Sequence, residues 1–205
     1  DGTVRMANSG TLVQAGTVRA DGAPEQKAGN VVLDSADVTV LTQGSVTSAS
    51  GAGTNSDGGN VLVLSAMDGA QSARGFTDVQ EGSLISAHGG DSGNGGFIEV
   101  SGDGLNLHGE FDLSATHGEF GDFLLDPIAV TIIDGTQAPT TTGNPLVLTS
   151  NTTIGDEWFR TQNFTNFTLE STGDIVFDLA TTGAGFTNDG TVNFAFGATR
   201  KNLTL

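Results

Sequence analysis

The chain has no cysteine, no tyrosine, four prolines, and only seven lysines and arginines against twenty-four aspartates and glutamates. Each shortage excludes something. Without cysteine there is no disulfide, no thiolate nucleophile and no thiolate metal site. That absence fits an exported bacterial protein kept unfolded for translocation. A formal net charge of −17 leaves too few cations to displace counterions from a phosphate backbone, so nucleic acid and anionic membrane surfaces are excluded as partners. No run approaches the roughly 20 apolar residues that span a bilayer, and no membrane insertion is expected. Few prolines and no three-residue glycine period exclude collagen. Twelve phenylalanines and 36% hydrophobic residues supply a core, which argues against disorder. The opening Asp1-Gly2-Thr3-Val4 shows no Met, basic stretch or apolar leader, and the sequence is read as a piece of a longer mature chain.

Glycine, by contrast, fills 31 positions, and its placement is periodic. Short apolar strands follow Gly2, Gly29, Gly59, Gly96 and Gly121, as in Gly59-Asn60-Val61-Leu62-Val63 and Gly96-Phe97-Ile98-Glu99-Val100. A second series follows Gly16, Gly44, Gly82 and Gly109, with shorter apolar pairs such as Val38/Val40 and Leu105/Leu107 between the two. Each unit therefore reads as three short strands. Alternation predicts that Phe111 and Leu113 face inward while Glu110, Asp112 and Ser114 face water. A three-stranded unit cannot bury its inner face alone, and stacking on copies of itself closes a continuous core. The expected fold is all-β, a right-handed parallel β-helix (a solenoid) of about 8 coils. The Gly/Ser/Asn/Asp tracts 49–59 and 88–96 are expected as flexible corner loops, and glycines are expected at turns of positive φ.

Coils with glycine-rich repeats are expected over residues 1–135. Residues 136–205 are expected to be further, Phe-rich coils that continue beyond this sequence, because seven of the twelve phenylalanines fall between 159 and 196. Strands are expected there at Leu146–Leu148, Phe167–Leu169, Ile175–Phe177, Val192–Phe196 and Leu203–Leu205, with a short helical turn at Asp156–Arg160.

The run Gly95-Gly96-Phe97-Ile98-Glu99-Val100-Ser101-Gly102, then Leu105-Asn106-Leu107-His108-Gly109, Leu124-Leu125-Asp126-Pro127 and Val130-Thr131-Ile132 resembles bacterial two-partner-secretion exoproteins. These are the filamentous-haemagglutinin-like, high-molecular-weight adhesins, in which a "GGFVEVSG…LLDP…ITI" stretch follows the secretion domain. The resemblance covers residues 28–135 well and the rest loosely. The family's Asn-Pro-Asn-Gly secretion signature is missing, since the chain has only Asn144-Pro145-Leu146. The resemblance implies a secreted, surface-displayed adhesin shaft or binding region without the secretion module. It also implies an outer-membrane transporter engaged through a part of the protein outside this chain, and a host-surface or biofilm glycan or protein as ligand. Rival expectations are a polysaccharide-processing β-helix enzyme and an uptake exoprotein of the same family that captures a haem carrier.

Candidate sites are few, and each has a bland counterpart. Glu110 and Asp112 share an outward face with Glu99 expected nearby, but the pectin-degrading signatures Gly-His-Gly and Asp-Asp are absent, so no catalytic residue is assigned. Asp91 and Asp57 are weak candidates for Ca²⁺, without the spacing of a calcium loop; otherwise no cofactor is expected. His88 and His117 are expected as neighbours on successive coils, as weak ligand-binding candidates. Trp158 with Arg160 is a candidate sugar platform, although a lone Trp among phenylalanines is more often core. Asn151, Asn163, Asn166 and Asn202 head Asn-x-Thr triplets and are weak glycosylation candidates, with stacked Asn ladders as the alternative. In Leu124-Leu125-Asp126-Pro127 both leucines are expected to plug the core, Asp126 to bind the next turn and Pro127 to end the coil.

Overall fold

A computed structural model describes residues 2–66, 75–142, 151–182 and 202–204. The expected strands at Leu146–Leu148 and Val192–Phe196 lie outside the described residues. The remainder is almost entirely β, arranged in three largely parallel sheets. None of the three sheets closes on itself.

Four successive rungs each contribute one strand to every sheet. They are β1 (Thr3–Asn8), β2 (Thr11–Gln14) and β3 (Thr17–Arg19); β4 (Asn30–Ser35), β5 (Val38–Leu41) and β6 (Val46–Ser48); β7 (Asn60–Ser65), β8 (Phe76–Val79) and β9 (Leu84–Ser86); and β10 (Phe97–Ser101), β11 (Gly104–Leu107) and β12 (Glu110–Asp112). Every third strand pairs in parallel, so the first sheet runs β1-β4-β7-β10, the second β2-β5-β8-β11 and the third β3-β6-β9-β12.

Beyond β12 the repeat loosens. Strands β13 (Asp122–Asp126) and β14 (Val130–Asp134) enter the first and second sheets. Strand β15 (Thr140–Thr142) then pairs antiparallel with both β11 and β16 (Asn151–Gly155). This antiparallel insertion separates β14 from β11, which uniform stacking would have placed side by side. A helix, α1 (Asp156–Thr161), follows where a helical turn is expected. Strands β17 (Asn166–Leu169) and β19 (Asn202–Thr204) rejoin the first sheet, giving it seven strands among the described residues, and β18 (Ile175–Thr182) joins the second beside β14.

One hydrophobic cluster contains residues from all three sheets. The register stacks like on like: Val31, Val61, Ile98, Phe123 and Phe167 form one inward column of the first sheet. The core coarsens along the chain, from valines to rings. Phe111, Phe123, Trp158, Phe159, Phe164 and Phe167 pack with centroids 4.7–6.4 Å apart. Phe111 and Leu113 point in, as alternation requires, and Glu110 points out.

Two strands set their side chains in ways that hydropathy alone does not fix. In β5 the inward residues are Thr39 and Leu41, while Val38 and Val40 are only half-buried. Thr39 is tolerated inside because its hydroxyl meets Ser35 Oγ at 2.8 Å and donates to the Leu64 carbonyl at 2.8 Å. Thr77 repeats the device one rung on, meeting Ser65 Oγ at 2.8 Å and donating to the Ser101 carbonyl at 2.9 Å. A buried hydroxyl without such partners costs roughly 1–3 kcal/mol. In β13 Phe123 and Leu125 are buried, and Leu124, expected to plug the core beside Leu125, sits half-buried on the outer face.

Positive φ is found as expected at Gly44 and Gly82 of the second series, but at none of the rung-opening glycines. They are needed for space. Gly29 N–H donates to the Ala20 carbonyl, Gly59 to Ala49, Gly96 to Ala87 and Gly121 to Leu113, all at 2.7–2.8 Å. Each glycine carbonyl in turn accepts from the next rung, as Gly59 does from Phe97 N–H at 2.9 Å. A Cβ on Gly96 would lie 2.0 Å from the Gly59 carbonyl oxygen, and one on Gly59 would lie 1.9 Å from that of Gly29.

The contrast with Gly16, around which a Cβ would meet nothing within 4 Å, gives a direct test. Gly96→Ala is expected to cost about 1–3 kcal/mol or more through forced backbone displacement, whereas Gly16→Ala should be neutral in chemical denaturation. Leu125→Asp should abolish the cooperative unfolding transition, because it buries an unpaired carboxylate.

Candidate functional site

The outward face of the third sheet and the loops that leave it form one groove. Register places Arg19, Ser48, Ser86 and Asp112 in one outward column. Past the strand ends, main-chain bonds such as Gly22 N–H to Ser50 O, Gly51 N–H to His88 O and Gly89 N–H to Ser114 O extend the ladder. A second column follows: Asp21, Ser50, His88 and Ser114. The groove opens as adjoining clefts of about 520 Å³ and 320 Å³ that share Gly51, His88 and Asp112. A third cleft, of about 600 Å³, shares Asp112 and Ser114 with the first and Leu84 with the second, and adds Glu110. Half-buried Phe120 lines the first cleft, beside Asp91, Thr116 and His88.

Hydroxyls and carboxylates are wired together along the groove. Asp21 accepts from the Ser48 hydroxyl and from Ser50 N–H at 2.9 Å, and its second oxygen meets Arg19 Nη1 at 2.9 Å. Ser50 Oγ meets Ser86 Oγ at 2.8 Å. Asp112 Oδ1 accepts from Ser114 N–H at 3.0 Å and from its hydroxyl at 2.5 Å. Burial pulls the Asp21 carboxyl upward, but the bonds from Ser48, Ser50 and Arg19 outweigh it and hold it below the ordinary aspartate value.

The loops after the third sheet are not the loose corners expected. They stack on each other by backbone bonds: Gly90 N–H to Ser56 O at 2.7 Å, Asp91 N–H to Gly53 O at 2.9 Å, Ser92 N–H to Thr54 O at 2.6 Å, and His117 N–H to Asp91 O at 3.1 Å. Side chains tie them further. Glu25 accepts from Thr54 N–H, Asp57 from Asn94 N–H, and Asn94 from Glu119 N–H, at 2.8–3.1 Å. These stacked loops wall one side of the groove.

The residues singled out from sequence fare unequally. His88 lies in the groove, its Nδ1 2.9 Å from the Gly89 carbonyl. His117 is beside Asp91 instead of beside His88, with Nδ1 at 3.2 Å from the carboxylate. Asp57 and Asp91 serve loop stacking, and among the described residues no group of three or more His, Asp and Glu could hold a metal ion. Trp158 is 6% exposed within the aromatic cluster, so it offers no open sugar platform; the Arg160 side chain lies outside the described residues. Glu99 is on the first sheet and does not join Glu110 and Asp112 on the third.

Two of the Asn-x-Thr residues bond to a side chain of the neighbouring strand that is not an asparagine. Asn166 donates to Asp122 Oδ1 at 2.5 Å and Asn151 to Thr131 Oγ1 at 2.7 Å. The backbone of Asn202 pairs with Asn166, and exposed Asn163 bridges to Asp112. Among the described residues, no helix is long and apolar enough to cross a membrane.

Asp21, Asp112, Ser114 and Phe120 were not foreseen as one site. Asp21, Ser50, His88 and Ser114 lie far apart in sequence, but each stands seven to nine residues before a rung-opening glycine. That shared offset is the signal that could have found them. Comparison with protein-family models, with curated proteins and with solved structures finds no match.

Electrostatics predict opposite pH responses at two aspartates. Asp21, lowered in the fold, contributes stability that is complete at neutral pH and lost as pH falls below the unfolded aspartate value of about 3.9. Asp21→Asn should therefore melt earlier than the parent at neutral pH, and the gap should close in acid. Asp126 is raised by burial and then by Glu170 and Glu99. Its ionisation opposes folding once pH passes the unfolded value, so Asp126→Asn should raise Tm at neutral pH and not in strong acid. Thermal melts across pH check both.

Proposed function

We propose that this chain is a segment of a secreted bacterial surface adhesin of the two-partner-secretion, filamentous-haemagglutinin-like class, folded throughout as a right-handed parallel β-helix. The stacked parallel strands and the glycine-opened rungs support the fold reading, and the Gly95–Gly102 and Leu124–Pro127 motifs support the class. On this reading the protein is displayed at the cell surface after passing an outer-membrane transporter, which it engages through a part outside this chain. It binds a host-surface or biofilm glycan and does not cut it.

One observation carries the binding reading: the third-sheet groove places a half-buried phenylalanine, Phe120, among Asp91, Asp112, His88 and Ser114. A sugar ring has apolar C–H faces and a rim of hydroxyls. An aromatic side chain flanked by carboxylate, imidazole and hydroxyl groups answers both features. The groove also crosses several strands, each about 4.8 Å from the next. A polymer lying across them meets a new row of polar groups at each strand, and weak contacts combine.

Retention of polysaccharides on a glycan array tests this. The parent chain should retain a subset of glycans and release them unshortened. Phe120→Ala should weaken that retention about tenfold, equivalent to about 1.4 kcal/mol, with an unchanged β-type circular dichroism spectrum. Retention of no glycan, or shortened chains after incubation, would overturn the reading.

A further inference from the structure

We infer that the groove takes a cationic glycan, a polymer of amino sugars carrying free ammonium groups; this rests on the glycan-binding reading above. The groove is lined by four carboxylates, Asp21, Asp91, Asp112 and Glu110, and by one guanidinium, Arg19. Arg19 is held by Asp21 through the ion pair at 2.9 Å, so that end of the groove is internally balanced. The other end is not. Asp112 spends Oδ1 on Ser114, and among the described residues its Oδ2 has no hydrogen bond. Glu110 is exposed, and Asp91 is more than half exposed, its carboxylate partnered among the described residues by the still more exposed His117. Unbalanced negative charge therefore gathers around Phe120 and the β12 end.

The whole chain adds to this field, with a net charge of −17. A uronic-acid or sulfated polymer placed here would set like charge against like, which weakens binding and slows encounter. A neutral polymer would keep the stacking and hydroxyl contacts and gain nothing from the carboxylates. A polymer with ammonium groups gains from both. Its charges repeat along the chain, so several can engage Asp112, Glu110 and Asp91 together, which a single cation cannot do. The hydroxyls of Ser48, Ser50 and Ser86 form the buried floor of the middle of the groove, where they bond to one another and to Asp21.

The test uses the full 205-residue chain and three defined hexamers: β-linked glucosamine, its fully N-acetylated counterpart and a uronic acid. Calorimetric titration at low salt should show the glucosamine hexamer binding at least tenfold tighter than the N-acetylated one, with the uronic acid unbound. Raising ionic strength should shrink that preference. Asp112→Asn and Asp91→Asn should each reduce the preference severalfold. Phe120→Ala should weaken both hexosamine ligands alike. Glu170→Gln, on the first sheet, should leave the preference intact, which separates the groove from general attraction to a polyanion. Equal affinity for the two hexosamine ligands, or a preference indifferent to Asp112 and Asp91, would overturn the charge inference and leave the glycan reading standing. Absence of binding to any of the three, with no retention on the array, would remove both.

Discussion

The structure depends on the approach of main chain to main chain at the rung-opening glycines. Gly29, Gly59, Gly96 and Gly121 each give their N–H to the end of the third-sheet strand just completed and their carbonyl to the next rung. A main chain used on both sides has no room for a side chain, as the 1.9–2.1 Å clearances to an added Cβ at these positions show. Parallel stacking then follows. Once each rung begins at a fixed height above the last, the strands after the glycine lie in register, and valine falls on valine in the first sheet. The column costs backbone entropy, because glycine loses the most freedom on ordering. Burial of the aliphatic and aromatic columns offsets it.

This constraint explains which parts of the fold are legible in the sequence. The glycines announce the rungs, and alternation within β7, β10 and β12 reads correctly because their inward residues are apolar. It fails at β5 and β8, since Thr39 and Thr77 turn inward, where their hydroxyls meet Ser35 and Ser65. Hydropathy does not record that a partner hydroxyl waits across the corner. The antiparallel insertion at β15 and β16 is equally silent. Its strands are threonine-rich, and nothing in their pattern fixes direction. Trp158 is legible only as an aromatic of unknown side, until Phe111 and Phe123 are seen against it.

The groove was hidden by a decoy. Ser86-Ala87 and Ser114-Ala115 look equivalent, and aligning them makes His88 and His117 near neighbours. The structure pairs Ser86 with Asp112 instead, because Ile85 and Phe111 must both face the core. The turn entering β12 is two residues shorter than the turn entering β9, so the apparent match slips. A slip of two residues keeps the same side chains facing outward but shifts each by one place along the face. It brings Asp112 and Ser114 beside Ser86 and His88, which is how the acidic end of the groove arises.

The loops complete the argument, since they show how one fold can carry a binding surface that varies from rung to rung. Each loop is closed at its neck by the same bond from a glycine N–H to the end of the preceding strand. The rung does not register what happens beyond the neck. Loop-closure entropy grows only slowly with length, so the span from Ala49 to Gly59 and that from Leu113 to Gly121 sit on equivalent bases. Length and composition there can differ at little cost to the stack, provided the loops still bond to one another, as Gly90 does to Ser56 and Asn94 does to Glu119. The constraint that makes the sheets uniform thus leaves the groove wall free to be particular, and that wall is where Phe120 and Asp91 reside.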